Sequence, residues 1–464
     1  MTDKSSFVPA NLPNGQDVKG NRKWLYPRIV KGKLYQYRSL VSYFFLTLLF
    51  AAPIIQVNGE QLILLNVLER KFVFFGIIFW PQDFYLFVLA LLTFMVGVVL
   101  FTVVFGRIFC GWVCPQTIFL EMVFRKIENF IEGDYIKQRK LDEGPLTGEK
   151  IFKKGTKHLI FISISFIISN TFLAYIIGTT TLLKIISDPV GEHLVGFVAI
   201  CLFTTVFYLV FSKMRELVCI LACPYGRLQG VLLDNQSIIV AYDYERGEPR
   251  GKHIKNGKAN TGDCIDCNIC VQVCPTGIDI RNGTQMECTN CTACIDACDM
   301  VMDKIDRPRR LIGYKSEDEI KHRGQFKINP RVYAYAAVLA ILVSVLSFLL
   351  FTRSDVQTTI LRAGGTLYQM RDDHTISNLY NAELVNKTNK AVKFKLIPDD
   401  PEVKIQLIQQ VDELSGGGSA KITFFIILPK GKNSKYKSDI GLKLVSGQKE
   451  VDHLTTTFIA PPNF

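Results

Sequence analysis

The chain has 464 residues, of which 48% are hydrophobic and 33 are phenylalanine, and its mean hydropathy is +0.21. This composition excludes a disordered chain and an ordinary soluble domain, and it is typical of a multi-pass membrane protein. The formal net charge of +12 needs no nucleic-acid partner, because basic residues that flank membrane spans and face anionic lipid headgroups account for it.

Five apolar runs are long enough to cross a bilayer as helices. They are Leu40–Val57, Phe84–Phe105, Leu159–Ile177, Leu194–Phe211 and Val332–Phe351. The apolar stretch Gln61–Trp80 is interrupted by Glu69, Arg70 and Lys71, so we predict a surface hairpin or interfacial segment there rather than a span. About forty mostly polar residues precede the first run, and no cleavable signal peptide is expected.

The basic residues around the spans predict the orientation of the chain. The N-terminal tail, which includes Lys19, Arg22 and Lys23, and the loop after the second span are rich in Lys and Arg. The loops after the first and third spans are poor in them. We therefore expect a bacterial inner-membrane protein whose N-terminus and fourth-to-fifth-span region face the cytoplasm and whose C-terminal residues face the periplasm. No cysteine follows Cys298, which fits an oxidising compartment at that end.

Two short cysteine motifs follow the second and fourth predicted spans, Cys110-Gly-Trp-Val-Cys114-Pro115 and Cys219-Ile-Leu-Ala-Cys223-Pro224. Their i, i+4 spacing predicts two sulfurs on one face of a helix, and the proline ends that helix or turns the chain. One such pair would more simply pack as small hydrophobic side chains. Two copies at equivalent positions favour a thiolate site for Cu(I), zinc or a further iron centre, or a reversible dithiol.

The region between the fourth and fifth spans contains the spacing C-x2-C-x2-C-x3-C twice. The two copies are Cys264, Cys267, Cys270, Cys274 and Cys288, Cys291, Cys294, Cys298. Thiolates at this spacing hold [4Fe–4S] clusters, and the fourth cysteine of each copy ligates the partner cluster. A pair of zinc ribbons is the alternative, but zinc sites rarely use this spacing. We therefore predict two clusters, with the ligand sets Cys264, Cys267, Cys270, Cys298 and Cys288, Cys291, Cys294, Cys274.

The two copies differ after their last cysteine. Pro275 follows Cys274, and Gly277 eases the predicted turn there. In the second copy Asp299 stands where proline is usual, so the prediction of a turn is weaker. The added negative charge should lower the reduction potential of the nearby cluster.

After Phe351 the sequence changes to short alternating runs that begin at Asn381, Val392, Val403 and Lys421. Turn signals such as Pro398-Asp-Asp-Pro and Gly416-Gly-Gly separate them. About 110 residues of this kind predict an immunoglobulin-like β-sandwich without the usual disulfide. The segment contains no clustered histidines and no nucleophile constellation, so we expect it to dock other proteins.

The predicted organisation is a membrane α-helical bundle of five transmembrane helices, with an inserted two-[4Fe–4S] ferredoxin domain and a C-terminal immunoglobulin-like β-sandwich. Its segments are an N-terminal tail (1–39), a four-helix membrane region (40–230), the ferredoxin domain (231–331), the fifth helix (332–352) and the external domain (353–464). No Rossmann or Walker fingerprint is present in the sequence. His158 and His193 are predicted at opposite membrane faces, which argues against a bis-histidine haem.

The cysteine motifs, together with Trp80-Pro-Gln-Asp-Phe, resemble those of the cytochrome c oxidase accessory proteins called CcoG, FixG or RdxA. The resemblance extends over essentially the whole chain. Related polyferredoxin membrane proteins of the NapH and NosR type share the C-x3-C-P pairs but generally lack the C-terminal domain.

The resemblance implies a role in assembly of the cbb-type oxidase and a cupric reductase activity. It places the copper or redox site on Cys110, Cys114, Cys219 and Cys223. The expected partners are membrane lipid, copper chaperones or oxidase assembly factors, and an electron donor that the sequence does not identify. The alternatives are an electron-transfer subunit of a quinol-linked respiratory complex and a scaffold with structural clusters.

Overall fold

The computed structural model describes residues 24–68, 70–251, 261–322, 329–365, 367–372, 375–388, 390–408, 413–429, 436–446 and 449–461. Lys19, Arg22, Lys23 and Glu69, which entered the predictions above, lie outside these ranges. The chain divides into two compact units. Unit 1 comprises the described parts of Met1–Ala51, Ala90–Leu173 and Leu183–Val343, and unit 2 those of Ala52–Leu89, Ala174–Leu182 and Ser344–Phe464.

The helices are, in chain order, α1 (Lys33–Ala51), α2 (Phe84–Phe105), α3 (Ile108–Trp112), α4 (Pro115–Thr117), α5 (Arg125–Glu132), α6 (Tyr135–Glu143), α7 (Gly148–Ile177), α8 (Thr179–Ser187), α9 (Leu194–Leu209), α10 (Pro224–Leu232), α11 (Tyr244–Gly247), α12 (Ile269–Gln272), α13 (Ala293–Lys304), α14 (Glu317–His322) and α15 (Pro330–Phe351). Wider π-helical turns occupy Ile118–Phe124, Val210–Met214 and Val218–Ala222.

The strands are β1 (Gln56–Val57), β2 (Glu60–Gln61), β3 (Ile63–Asn66), β4 (Lys71–Phe74), β5 (Ile77–Phe79), β6 (Ile239–Tyr242), β7 (Ile312–Lys315), β8 (Val356–Arg362), β9 (Gln369–Asp372), β10 (Thr375–Asn386), β11 (Val392–Lys393), β12 (Lys395–Pro398), β13 (Lys404–Leu407), β14 (Glu413–Leu414), β15 (Ser419–Pro429), β16 (Lys437–Ser446) and β17 (Lys449–Ile459).

Within the described ranges, four helices are long and apolar enough to cross a membrane: Phe84–Phe105, Gly148–Ile177, Val190–Met214 and Pro330–Phe351. The predicted first span, Leu40–Val57, is not one helix, because α1 ends at Ala51 and the chain then turns into β1. Helix α1 also begins seven residues earlier than predicted, with the polar turns that carry Lys33 and Arg38. The predicted count of five spans is therefore not supported. The segment expected to lie outside the membrane, Gln61–Trp80, contains the antiparallel sheet β3-β4-β5.

In unit 1, aromatic side chains and buried ion pairs connect the helices. The rings of Phe124 and Phe161 pack edge to face, with centroids 4.8 Å apart. Nearby, Glu128 accepts a hydrogen bond from Arg215 at 2.7 Å and contacts Lys157 at 3.3 Å. Burial alone would raise the pKa of Glu128, but these two cations lower it to about 2. Because a buried charge is stable only when it is paired, this network fixes α5 and α7 to the turn after Met214.

The remainder of unit 1 is a small cysteine-rich module. Strands β6 and β7 pair antiparallel, with Ile239 opposite Lys315 and Tyr242 opposite Ile312. Helices α12 and α13 pack together. Its fully buried apolar side chains include Ile295, Met302, Leu311 and Ile312. This core holds the two cysteine loops in place.

Unit 2 contains the predicted β-sandwich. One sheet has the order β13-β15-β10-β8, with β9 also paired to β10, and the facing sheet has the order β12-β16-β17. Side chains from both sheets form one core, in which Tyr380, Phe424, Leu442 and Phe458 are fully buried. The Tyr380 hydroxyl donates a hydrogen bond to the Thr457 carbonyl at 2.9 Å, so the one polar atom of this side chain is satisfied.

A buried carboxylate anchors the segment before α2 to the β-sandwich within unit 2. Asp83 is 1% exposed, and its two oxygens lie 2.5 Å from Arg353 and 2.5 Å from Lys387. Burial lowers the pKa of Lys387, and Asp83 opposes that effect. One acid therefore holds two buried cations.

Replacing this acid should destabilise unit 2. In Asp83→Asn the two cations lose their counter-charge, so we expect a loss of about 3–5 kcal/mol in unfolding free energy. The measurement is thermal unfolding of the purified full-length protein, followed by protease sensitivity of the β-sandwich. The control is Asp439→Asn, at an exposed position of β16. Equal melting temperatures for the two variants would contradict the role assigned to Asp83.

Candidate iron–sulfur and thiol sites

The two C-x2-C-x2-C loops have the same backbone form. Asp266 and Asn268 in the first loop, and the equivalent Asn290 and Thr292 in the second, have φ between 52° and 65°. This left-handed conformation winds the chain tightly. The three cysteines of each loop consequently border one cavity.

The fourth cysteine of each copy lies at the other copy's cavity. One cavity is bordered by Cys264, Cys267, Cys270 and Cys298, which we call the first cluster site. The other is bordered by Cys274, Cys288, Cys291 and Cys294, the second cluster site, and Cys270 also reaches its wall. The structure thus gathers the two sets of four that the spacing predicted.

The difference between Pro275 and Asp299 has a clear structural result. Helix α12 has four residues, and Cys274 follows it in a turn that Pro275 and Gly277 complete, with φ of 72° at Gly277. Helix α13 carries Cys294 and Cys298 and continues through Asp299 to Lys304. After the second copy, where Asp299 had made a turn the weaker prediction, the chain does not turn, because aspartate, unlike proline, can continue a helix.

Both cavities suit a cationic metal centre. Burial raises the pKa of Cys270, Cys288 and Cys298 to about 12, and it raises the pKa of Cys294 well above its usual value. Such thiols are neutral at pH 7 unless a metal ion displaces their protons.

The loop around the second cavity also carries buried hydrogen-bond donors that have no partner among the described residues, and Thr292 borders the cavity itself. They are the hydroxyl of Thr292 and the amide nitrogen of Asn290, both buried. Donors of this kind can satisfy the sulfur atoms of a cluster. The residues present therefore fit [4Fe–4S] groups.

The two C-x3-C-P motifs do not lie on single helices, which corrects the prediction. Cys110 is in α3, which ends at Trp112, and Cys219 is in a π-helical turn. Cys114 and Cys223 are extended cap residues, and each precedes a new helix whose first residue is the proline. A proline at this position needs no N–H partner, so it starts a helix readily.

These four cysteines nevertheless lie near one another, because the Cys110 thiol donates to Gln229 in the helix that Cys223 caps. Among the described residues, no three of their sulfur atoms lie within 4.8 Å of one another. Burial raises the pKa of Cys110 to about 11, and the nearby thiols of Cys114 and Cys223 add to that rise. Burial likewise raises the pKa of Cys219 to about 12, with contributions from the three others. Cys110, Cys114, Cys219 and Cys223 therefore form one group, the thiol quartet. Sequence reasoning left open whether they meet.

The thiol quartet lies beside the second cluster site. A Cβ atom at Gly111 would be 2.6 Å from the carbonyl oxygen of Thr289 and 2.7 Å from that of Asn290. Only glycine allows the two backbones to approach so closely. The indole nitrogen of Trp112 also donates a hydrogen bond, at 3.0 Å, to the hydroxyl of Tyr314, whose pKa is raised by burial and by Cys288, Cys291 and Cys294.

Arg107 joins these parts through its guanidinium. Its Nε donates to Gln229 Oε1 at 2.6 Å, one Nη donates to the Cys288 carbonyl at 3.2 Å, and the other donates to the Gly226 carbonyl. Gln229 Oε1 in turn accepts from the Cys110 thiol at 3.4 Å. One side chain thus contacts the helix after the second C-x3-C-P motif and the loop of the second cluster site.

Known domains match three parts of the chain. Residues 214–317 match the description "4Fe-4S dicluster domain", and residues 87–132 match "4Fe-4S binding domain". Residues 346–461 match the IG-like fold at the C-terminal end of FixG. The iron–sulfur domains and the immunoglobulin-like fold are therefore confirmed.

Over 94% of its length the chain is 30% identical to the nitrogen fixation protein FixG of Rhizobium meliloti (strain 1021), across 93% of that protein. The chain belongs to the FixG and RdxA family. RdxA and RdxB of Cereibacter sphaeroides are 37% and 34% identical to it. These matches cover 73% of this chain and 73% of RdxA, and 81% of this chain and 82% of RdxB. This FixG-family member is an iron–sulfur electron-transfer protein with helices able to cross a membrane.

Sequence reasoning missed several residues of this FixG-family site. Arg107 counted only as one of the basic residues that orient the chain, and Gln229 and Tyr314 carried no signal at all. Gly111 lies inside the first C-x3-C-P motif, which was the one available hint that a backbone approaches there. These contacts join segments that are far apart in the chain, and such contacts leave no local pattern.

Serine in place of Cys294 should remove one cluster from this FixG-family protein. Each [4Fe–4S] group needs four thiolates, so the iron content should fall from about eight toward about four atoms per chain. The measurement is iron and sulfide analysis of the purified full-length variant. Cys201→Ser, in the exposed side of α9, is the control. Unchanged iron in Cys294→Ser would remove this residue from the ligand set.

Soft-metal binding by the thiol quartet should strengthen as pH rises. The raised pKa values of Cys110 and Cys219 mean that binding must release their protons, so the apparent affinity should increase about tenfold per pH unit for each proton released. Titration with Cu(I) against a competing chelator between pH 6 and pH 9 measures this. An affinity that does not change with pH would show that these thiols are not ligands.

Proposed function

We propose that this FixG-family protein reduces Cu(II) to Cu(I) at the thiol quartet, in the service of cbb-type oxidase assembly. The observation that carries the proposal is the proximity of Cys110, Cys114, Cys219 and Cys223 to one another, beside the second cluster site. Two motifs from different parts of the chain converge on one thiol-rich position, and that position adjoins an iron–sulfur centre.

The chemistry is a one-electron step. The clusters, when bound, supply single electrons at low potential. Each Cu(II) ion takes one electron and becomes Cu(I), and no proton is needed to balance that step. Thiolates are soft ligands that favour Cu(I), so the quartet holds the product more tightly than the substrate. Its partial burial limits access of water to the bound ion.

The surrounding residues have defined tasks in this proposal. Gln229 accepts the Cys110 thiol hydrogen bond and fixes the orientation of that side chain. Arg107 holds Gln229 and the loop of the second cluster site at a fixed separation. The ligand sets of the two clusters are those of the first and second cluster sites.

The location and partners form part of the same proposal. Basic residues after α2 support a cytoplasmic location for that loop and, two membrane-crossing helices later, for the cysteine-rich module. The β-sandwich then lies in the periplasm, where it docks copper chaperones or oxidase assembly factors. The reductant that loads the clusters is supplied by a separate low-potential electron donor.

The direct test is reduction of Cu(II) by the chemically reduced, purified protein. A Cu(I)-specific chelator dye measures the product. Replacement of all four quartet cysteines by serine should lower the initial rate at least about tenfold, because the soft ligands are lost. Cys201→Ser should retain the rate. An unchanged rate in the quadruple variant, with both clusters retained, would exclude the quartet.

A cellular measurement separates this function from an electron-transfer role in a quinol-linked respiratory complex. We expect copper to fall in the oxidase purified from a strain that lacks the protein. Normal oxidase copper, combined with poor growth on one terminal acceptor, would favour the quinol-linked role instead.

A further inference from the structure

Two arginines beside the second cluster site are buried without an acid partner. Arg38 is 4% exposed and Arg107 is 6% exposed. Among the residues that the structure describes, no carboxylate lies within the ion-pair distance of 4.0 Å from either guanidinium. A buried cation is costly unless a negative charge lies nearby.

Both arginines contact the same cysteine loop. Arg38 donates to the Cys291 carbonyl at 3.4 Å, and its second Nη is buried with no acceptor in the described part of the chain. Arg107 donates to the Cys288 carbonyl at 3.2 Å. Two positive charges thus lie against the loop that supplies three thiols of the second cluster site.

The nearest acid on α13 does not neutralise them. Asp296 is 6% exposed, and its carboxylate accepts from the backbone N–H groups of Leu34 and Tyr35 at 3.3 and 2.8 Å. These groups begin α1, and a helix N-terminus stabilises a carboxylate by itself. The charge of Asp296 is therefore compensated by α1, on which Arg38 lies one turn further along.

The first cluster site has a different charge environment. Arg281 borders its cavity, but this guanidinium is paired with Asp279 at 2.6 Å and with Asp266 at 2.5 Å. Asp299 follows Cys298 directly and adds to the negative field at that thiol. No cation without an acid partner borders this cavity among the described residues.

We infer that Arg38 and Arg107 set the reduction potential of the second cluster, raising it above that of the first. A cluster with its thiolates is negatively charged and becomes more so on reduction, so uncompensated positive charge nearby favours the reduced form. The buried hydroxyl of Thr292, which borders the second cavity, acts in the same direction.

Solvent at the first cluster site opposes this difference. Cys267 is exposed, and water also stabilises added negative charge. The exposure concerns one of four ligands, however, whereas the two arginines contribute full charges in a buried position. Their effect can be isolated, because replacing them changes the second site and leaves Cys267 unaltered.

The inference rests on the proposed cluster sites and gives the proposed copper reduction its direction. With both clusters bound, the two arginines would favour the electron on the second site, whose loop contacts Gly111 next to the thiol quartet. This transfer of one electron would change no bond and no proton. Arg38 and Arg107 act on this electron transfer through the second cluster, so they are positioning residues.

The test is a redox titration of the full-length protein, followed by electron paramagnetic resonance. Cys267→Ser and Cys291→Ser assign the two signals to the two sites. In Arg38→Gln and in Arg107→Gln we expect the reduction potential of the second cluster to fall. A tenfold change in its one-electron equilibrium corresponds to a shift of about 59 mV. The first cluster should keep its potential. Arg309→Gln, at an exposed ion pair of the same module, is the control.

Lysine variants distinguish charge from structure. Arg38→Lys and Arg107→Lys should keep most of the wild-type potential, because the positive charge remains. If Arg107→Gln loses iron, the comparison of Arg38→Gln with Arg38→Lys still tests whether positive charge raises the potential of the second cluster. Unchanged potentials in cluster-replete glutamine variants, equal shifts of both clusters, or lysine variants that behave like glutamine variants would overturn the inference. A shift of the second cluster without copper reduction by the wild type would refute only the proposed function.

Discussion

The balance of charge inside a protein interior is the constraint on which this structure depends. A buried arginine is unfavourable on its own because it cannot lose its charge, and a buried thiol stays neutral unless a metal ion replaces its proton. A metal–thiolate group solves both problems when it lies between them. Cys288, Cys291 and the guanidiniums of Arg38 and Arg107 are arranged around such a position. Elsewhere, at Glu128 and Asp83, the same constraint is met by direct ion pairs.

Backbone irregularities determine where the cysteines lie. Left-handed residues wind each cysteine loop around one cavity, and breaks between helices separate the cysteines of each C-x3-C-P motif. The glycine inside the first motif then permits contact between a helix end and the second loop. Cysteine positions in this protein are therefore determined by where regular structure stops.

Sequence reasoning succeeded wherever the determining contacts are local. The apolar run Phe84–Phe105 coincides with α2, and the twin cysteine spacing leads to two sets of four that the cavities reproduce. The alternating runs after Phe351 become the strands of a sandwich.

Sequence reasoning failed where a segment that is distant in the chain supplies the stabilising contact. The polar start of α1 is helical because Asp296 accepts its first N–H groups, and nothing near Lys33 indicates that partner. The one-helix interpretation of each C-x3-C-P pair took the spacing as sufficient, but proline after the second cysteine starts a helix here rather than ending one.

The crossing of Cys274 and Cys298 between the two cavities has a consequence for biogenesis. Neither set of four is complete until both copies of the motif have folded, so a chain interrupted between Cys274 and Cys288 has no finished site for either cluster.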